Sequence, residues 1–280
     1  MKGTATITIA LVICLLLFPL TAKGQTDVEL DPEFGGRVSL SVEKKLAKGL
    51  HLNLEEEVRF DNNLTAFNRF HTTLGIDYKV HPNVKVGVGY ALINPYSTAN
   101  NAFKNSRHRF MADITGTLKF GDWRLSLKER FQATVRTGEI NEYQNPRTLM
   151  ALKSRLKLSY KGLRGTGIEP YTSLEMRNTL NAPVIKANFD GTNYLTASGA
   201  EKGEAGWFLD GFDGVYVNRL RGSLGMDYRL DRRSTISVAV MGDYVMDKVV
   251  DANKEGTRLK SYTFEKGFVG WLTAGYSYSF

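Results

Sequence analysis

The chain ends GFVGWLTAGYSYSF, and read every second residue it splits into two sets. Leu272, Ala274, Tyr276, Tyr278 and Phe280 form one, and Thr273, Gly275, Ser277 and Ser279 the other. Strict period two is the mark of a β-strand with one apolar and one polar face. The same alternation recurs through the chain. Phe70, Thr72, Leu74, Ile76, Tyr78 and Val80 alternate with Arg69, His71, Thr73, Asp77 and Lys79. Trp123, Leu125, Leu127, Phe131, Ala133 and Val135 alternate with Arg124, Ser126, Lys128, Arg130, Gln132 and Arg136. Tyr216, Leu220, Leu224, Met226, Tyr228 and Leu230 do so with Arg219, Arg221, Asp227 and Arg229.

Eleven such strands are expected, at 35–46, 50–60, 68–80, 84–95, 106–120, 123–136, 147–160, 168–180, 214–230, 234–247 and 257–280. Ordinary strands average roughly 5–6 residues, whereas a tilted strand crossing a bilayer needs about 9–11. Short links such as Ala47-Lys48-Gly49, His81-Pro82-Asn83 and Gly121-Asp122 alternate with longer ones such as 61–68, 94–106, 137–146 and 181–214. Tight turns at one end and long loops at the other describe an up-and-down meander. No helix-period segment of useful length and no domain boundary interrupt it. A spanning sheet must satisfy every backbone N–H and C=O internally, so it must close on itself. The expected fold is all-β: a single antiparallel up-and-down transmembrane barrel over residues 25–280, of about twelve strands within a range of ten to fourteen. An even count is the norm. A twelfth strand is sought in 25–34 or 181–213, or by folding 257–280 into a hairpin near Lys266-Gly267.

The first residues agree with a barrel. Met1-Lys2 is followed by the apolar run Ile7–Leu20 and by small residues at Ala22 and Gly24. That pattern reads as a secretory signal peptide over 1–24, cleaved before Gln25, and the run is short for a spanning helix. Cys14, the only cysteine, lies inside it. The exported part therefore has no disulfide framework, thiolate metal site or cysteine nucleophile. The formal charge is +8, or +6 without Lys2 and Lys23. A small positive excess favours anionic partners and is weak ground for nucleic acid. Mean hydropathy of −0.27 is no objection to a membrane barrel, because lipid-facing and lumen-facing residues alternate and cancel.

Residues 52–96, LNLEEEVRFDNNLTAFNRFHTTLGIDYKVHPNVKVGVGYALINPY, and SRHRF at 106–110 carry a further signal. A strand ending Glu-x-Arg-Phe, an Asn-rich loop, a second strand, a short turn and a GVGY strand followed by His-Arg resemble the uncharacterised barrel family called domain of unknown function 2490. The resemblance implies a Gram-negative outer-membrane barrel over about 35–280 and brings no activity with it. Phe280 resembles the C-terminal aromatic by which the barrel assembly machinery reads outer-membrane proteins. The partners expected are that machinery and outer-membrane lipids, with no nucleic acid.

Inward parity collects basic residues beside carboxylates such as Glu57, Asp113, Glu175 and Asp243. Arg124, Lys128 and Arg130 share one strand, and Lys153, Arg155 and Lys157 the next. Those six form the candidate basic wall. Cross-strand ion pairs would let them fill the lumen; an excess of them would concentrate small anions by field focusing. The function expected is a porin-like channel or binder for small anionic solutes. Two alternatives stand beside it: a barrel enzyme acting on lipid or peptide, and a structural or adhesion barrel with a closed lumen. An enzyme needs a base, and His71 is the histidine with inward parity, near Glu57 or Arg59 across a hairpin. No hydrolase, metalloprotease or phosphate-loop motif occurs, and no catalytic residue, cofactor or metal is expected. Glu56 and Glu129 break the lipid-facing pattern. The 181–213 segment, with Tyr194, Trp207, Phe208 and Phe212, is expected to be the longest loop.

Overall fold

A computed structural model describes residues 26–188, 206–255 and 259–280. Its strands are β1 (Thr26–Glu29), β2 (Glu33–Ala47), β3 (Leu50–Asp61), β4 (Ala66–His81), β5 (Val84–Ser97), β6 (Ala102–Phe103) and β7 (Arg107–Phe120). They continue as β8 (Trp123–Arg136), β9 (Thr148–Tyr160), β10 (Ile168–Asn188), β11 (Gly206–Arg229), β12 (Ser234–Ala252) and β13 (Leu259–Ser279). Each alternating stretch in the sequence is a strand here, and among the described residues none is helical.

Eleven strands, β2–β5 and β7–β13, hydrogen-bond in chain order and close into a barrel. Every neighbouring pair runs antiparallel except the closing one. There β13 meets β2 in parallel, from Val269 opposite Glu33 to Ser279 opposite Glu43. Eleven strands are joined by ten antiparallel steps, and an even number of steps leaves the first and last strands pointing the same way, so the seam has to be parallel. Eleven strands in the barrel, with two further short ones, fit the expected count of about twelve, within ten to fourteen; only the even number that is the norm does not hold. The N-terminal segment does hold a strand, but β1 continues the line of β2 along β13, Thr26 opposite Thr263. Residues 259–279 are one strand rather than a hairpin.

The 181–213 segment differs from expectation. Residues 181–188 and 206–213 extend β10 and β11, and Tyr194 lies outside the described residues. β10 pairs with β9 only from Tyr171 to Thr179, and β11 with β12 only from Arg219 to Arg229. Beyond these points the β10–β11 hairpin stands as a free arm, bent by register shifts around Asn178, Ala182 and Val184. Pro183 sits in the arm, where β10 is an edge strand and a missing N–H costs little. At its root Asn181 replaces the lost ladder, its amide donating to the Thr148 carbonyl at 2.6 Å and accepting from the Met150 N–H at 2.8 Å. β12 and β13 form a second arm. Val250, Ala252, Leu259 and Tyr262 on it pack with Ile185 and Leu209 of the first.

The barrel is turned inside out relative to a water-soluble protein. Val88, Leu118, Leu174, Leu224 and Val240 on the outer face are each more than half exposed, while charged side chains point inward. A contiguous apolar belt of this extent has no stable place in water. Aromatic pairs mark its rims: Trp123 with Tyr160 at 4.7 Å and Tyr278 with Phe280 at 4.8 Å on the short-turn side. Phe67 packs with Tyr96 at 5.3 Å and Phe103 at 6.0 Å on the long-loop side. Glu56 and Glu129 do face outward, so the register does not slip at either. Each is opposite a hydroxyl on the next strand: Thr72 donates to Glu56 at 3.0 Å and Ser154 to Glu129 at 2.6 Å.

Candidate functional site

Strand register sets like charges side by side in the lumen. Arg37, Arg59 and Arg69 stand directly opposite one another across β2, β3 and β4. Arg130, Lys153, Arg177 and Arg219 do the same across β8 to β11, and Lys128 faces Arg155. Like charges at directly opposed positions repel, so such rows need counter-charges.

Four carboxylates supply part of the compensation. Asp113 takes both prongs of Arg130 at 2.6 Å and Lys128 at 2.7 Å. Asp243, with a side chain 3% exposed, takes both prongs of Arg221 at 2.5 and 2.6 Å and lies 3.9 Å from Arg37 and Arg219. Glu175 contacts Arg219 at 3.3 Å and Arg221 at 3.7 Å. Glu57 pairs with Arg59 at 2.5 Å and lies 3.5 Å from Nδ1 of His71. Two-pronged guanidinium–carboxylate contacts are the strongest polar contacts a protein makes. Arg37 also lies 4.2 Å over the Trp271 ring. Gly35 makes room for that indole, since a Cβ there would come within 2.5 Å of it.

The compensation is incomplete. Among the described residues Lys153, Arg155, Arg177, Arg109 and Arg69 have no carboxylate within 4.0 Å, while every lumen carboxylate just named has at least one cation. Arg155 projects into open lumen, as does Glu55 on β3. Glu55 feels the charges of Lys128 and Arg130, which stand on β8 on the far side of the lumen.

Three cavities follow the barrel axis. A small one of 70 Å³ is lined by Lys128, Arg130, Lys153, Arg155 and Glu175. A vestibule of 480 Å³ opens at the short-turn rim and includes Arg124 and Lys157. There Arg124 meets Glu169 at 2.9 Å, and Lys157 meets Asp227 at 3.2 Å while lying 3.6 Å over the Tyr171 ring. A vestibule of 580 Å³ opens at the long-loop rim between the β5–β7 and β8–β9 connections. Thus the six residues of the expected basic wall fall into two groups, four around the central cavity and two in the vestibule below it. Arg37 and Arg107 were not anticipated, although Arg107 shares the parity of Arg109 two residues on.

His71 is 5% exposed, with its Nε2 buried and unpartnered. Glu57 and the charges of Arg37, Arg59, Arg69 and Arg109 surround it. Among the described residues no hydroxyl is bonded to it. His108 is on the outer face, bonded to the Tyr90 hydroxyl at 2.7 Å, and His51 meets Glu43 at 3.0 Å near the short-turn rim. Among the described residues no cluster of three or more His, Asp or Glu side chains is placed to hold a metal ion.

Comparison with known proteins adds a family and little else. No curated protein matches the chain. A solved structure, the outer-membrane expressed OmpT of Vibrio cholerae, is similar over 77% of this chain and 60% of that one, at 10% identity and a TM-score of 0.34. The chain thus spans 60% of the length of that structure. The pattern of the family described as "Protein of unknown function (DUF2490)" matches residues 38–253, most of the barrel, and the chain belongs to that family.

Proposed function

We propose that the chain is an outer-membrane barrel that draws small anionic solutes into its lumen, with free passage limited by an ion-paired constriction at mid-height. The observation that carries this reading is the central cavity: of its four cations Asp113 engages Lys128 and Arg130, its one carboxylate, Glu175, is already engaged by Arg219 and Arg221, and Lys153 and Arg155 have no carboxylate within 4.0 Å among the described residues. A cationic cleft with low-dielectric walls raises the local concentration of anions. The apolar outer belt and closed sheet support the membrane setting, the signal-peptide pattern supports export, and the long loops are assigned to the outside. Phe280, at the end of the seam strand and 66% exposed, is proposed as the contact for the assembly machinery.

A second reading, a closed structural barrel, is favoured by the burial of Arg37 and Asp243 on the lumen side of the seam. Single-channel recording of the refolded protein in planar bilayers, under a salt gradient, separates the two. Small, anion-preferring openings support the proposal. A folded barrel that shows no openings and no chloride or phosphate binding overturns it in favour of the closed barrel.

A further inference from the structure

The vestibule at the long-loop rim has features that the central cavity lacks. Its basic floor is formed by Arg107 on β7 and Arg136 on β8, which are directly opposed across the strands. The two guanidinium groups repel each other, and no carboxylate acts on either. The one carboxylate in the lining, Glu139, forms no ion pair with them. Directly opposed like charges with no counter-charge are unfavourable in a sheet. An anion between them would remove that penalty and could accept from both forks at once.

Around this floor stand Lys104, a third cation, and a set of hydrogen-bonding side chains. The side-chain amides of Asn100, Asn105 and Asn145 make no hydrogen bond within the protein among the described residues, and the Phe103 ring is 62% exposed beside them. The walls are held in place. Thr137 bonds the Ser106 carbonyl through its N–H at 3.3 Å and its hydroxyl at 2.5 Å. Gly138, at φ +81°, lies so close to the Asn105 amide that a Cβ has no room there. On the far side Asn141 donates to the Ala252 carbonyl at 2.8 Å and Gln144 to Asp251 at 2.5 Å, tying the β8–β9 connection to the second arm.

We infer that this vestibule is a binding site for a soluble sugar acid. Its carboxylate sits between Arg107 and Arg136, and its hydroxyls meet the free amides. Two facing cations call for a negative group. Accessible side-chain amides that both donate and accept suit a body bearing hydroxyls, and the exposed ring offers an apolar face against the sugar. The inference extends the anion reading of the lumen to its mouth and names the class of solute, but it does not require that the lumen conduct.

The test uses the full mature barrel folded in detergent, its fold confirmed by a heat-modifiable gel shift, titrated calorimetrically with galacturonate, glucose and acetate. Galacturonate is expected to bind saturably, glucose not at all, and acetate at least roughly tenfold more weakly, since the hydroxyl contacts are then lost. Arg107→Gln and Arg136→Gln are each expected to weaken galacturonate roughly tenfold or more. Arg232→Gln, in the exposed β11–β12 turn at the opposite rim, leaves galacturonate binding unchanged, and Arg155→Gln shows whether galacturonate is held in the central cavity instead. Asn105→Ala and Asn145→Ala weaken galacturonate and not acetate, and they carry the test should the arginine variants not fold. Absence of saturable galacturonate binding to the folded wild type overturns the inference. So does acetate binding as tightly as galacturonate, or a loss caused by Arg155→Gln and not by Arg107→Gln.

Discussion

Arg221 and Asp243 stand directly opposite one another on β11 and β12 and share two contacts, at 2.5 and 2.6 Å. Around that carboxylate also gather Arg37 and Arg219, each 3.9 Å away. Removing it leaves three cations without their common partner. Breaking a buried ion pair from one side costs about 3–5 kcal/mol, whereas replacing both partners by apolar groups of similar size is often neutral. Asp243→Ala is therefore expected to destabilise the barrel by about that amount in urea unfolding from micelles. The double change Arg221→Met with Asp243→Leu recovers part of the loss. A single-variant cost under about 1 kcal/mol shows the constriction to be wet and loosely held.

Arg155 makes a different prediction, because among the described residues it forms no ion pair. It stands between Lys128 on β8 and Glu175 on β10 and is exposed in the lumen. In Arg155→Gln the repulsion relieved at Lys128 offsets the attraction lost at Glu175, so stability stays within about 0.5 kcal/mol of the parent. Anion preference in bilayer recordings falls, and Arg155→Glu lowers it further. Unchanged selectivity in both variants removes the central cavity from the anion path.

Glu129 faces the apolar exterior with Ser154 as its one side-chain hydrogen-bond donor among the described residues. Charged groups on the lipid side of a barrel are unfavourable, carboxylates less so than cations. Glu129→Leu should raise stability in lipid by about 1 kcal/mol, measured against the parent in the same vesicles. A loss of stability instead points to a protein partner covering that face.

Asp231, in the turn between β11 and β12, has a carboxyl held below the usual carboxylate range by the N–H groups of Arg233, at 2.6 Å, and Ser234, at 2.8 Å. The folded value is lower than the unfolded one. Its contribution is therefore full above the unfolded carboxylate range near 3.9 and is lost as pH falls through the folded value. Asp231→Ala flattens the acid limb of the stability curve there, and the Asp231 carboxyl signal in a carbon-13 titration moves below that of an unstructured aspartate. A titration at the ordinary value contradicts this.

The alternation of Phe70 to Val80 or Trp123 to Val135 made the wall of the barrel readable before any coordinates. One buried or lipid face and one polar face leave a strand no second register. Inward parity likewise placed Lys128, Arg130, Lys153 and Arg155 in the lumen. Parity is a property of one strand, however, and the shear between strands is not. That is why Arg124 and Lys157 separate from the other four, and why the opposition of Arg107 to Arg136 needed the structure. The continuation of β10 and β11 past residue 180 was hidden for a related reason. Asn181, Ala182 and Pro183 interrupt the alternation with a bulge, and a bulge in sequence looks like the start of a loop.

The parallel seam between β2 and β13 places the two ends of the described chain at opposite rims of the barrel. Thr26 lies beside the long-loop rim, level with Thr263, whereas Phe280 donates its N–H to the Glu43 carbonyl at the short-turn rim. An even-stranded barrel brings both ends to one rim, where a few residues can splice them. Here a circularly permuted chain would need a tether running the full height of the lumen or through the lipid. Conversely, a reporter fused before Thr26 and another after Phe280 would sample different compartments, and from one molecule they would give the direction in which the barrel is inserted.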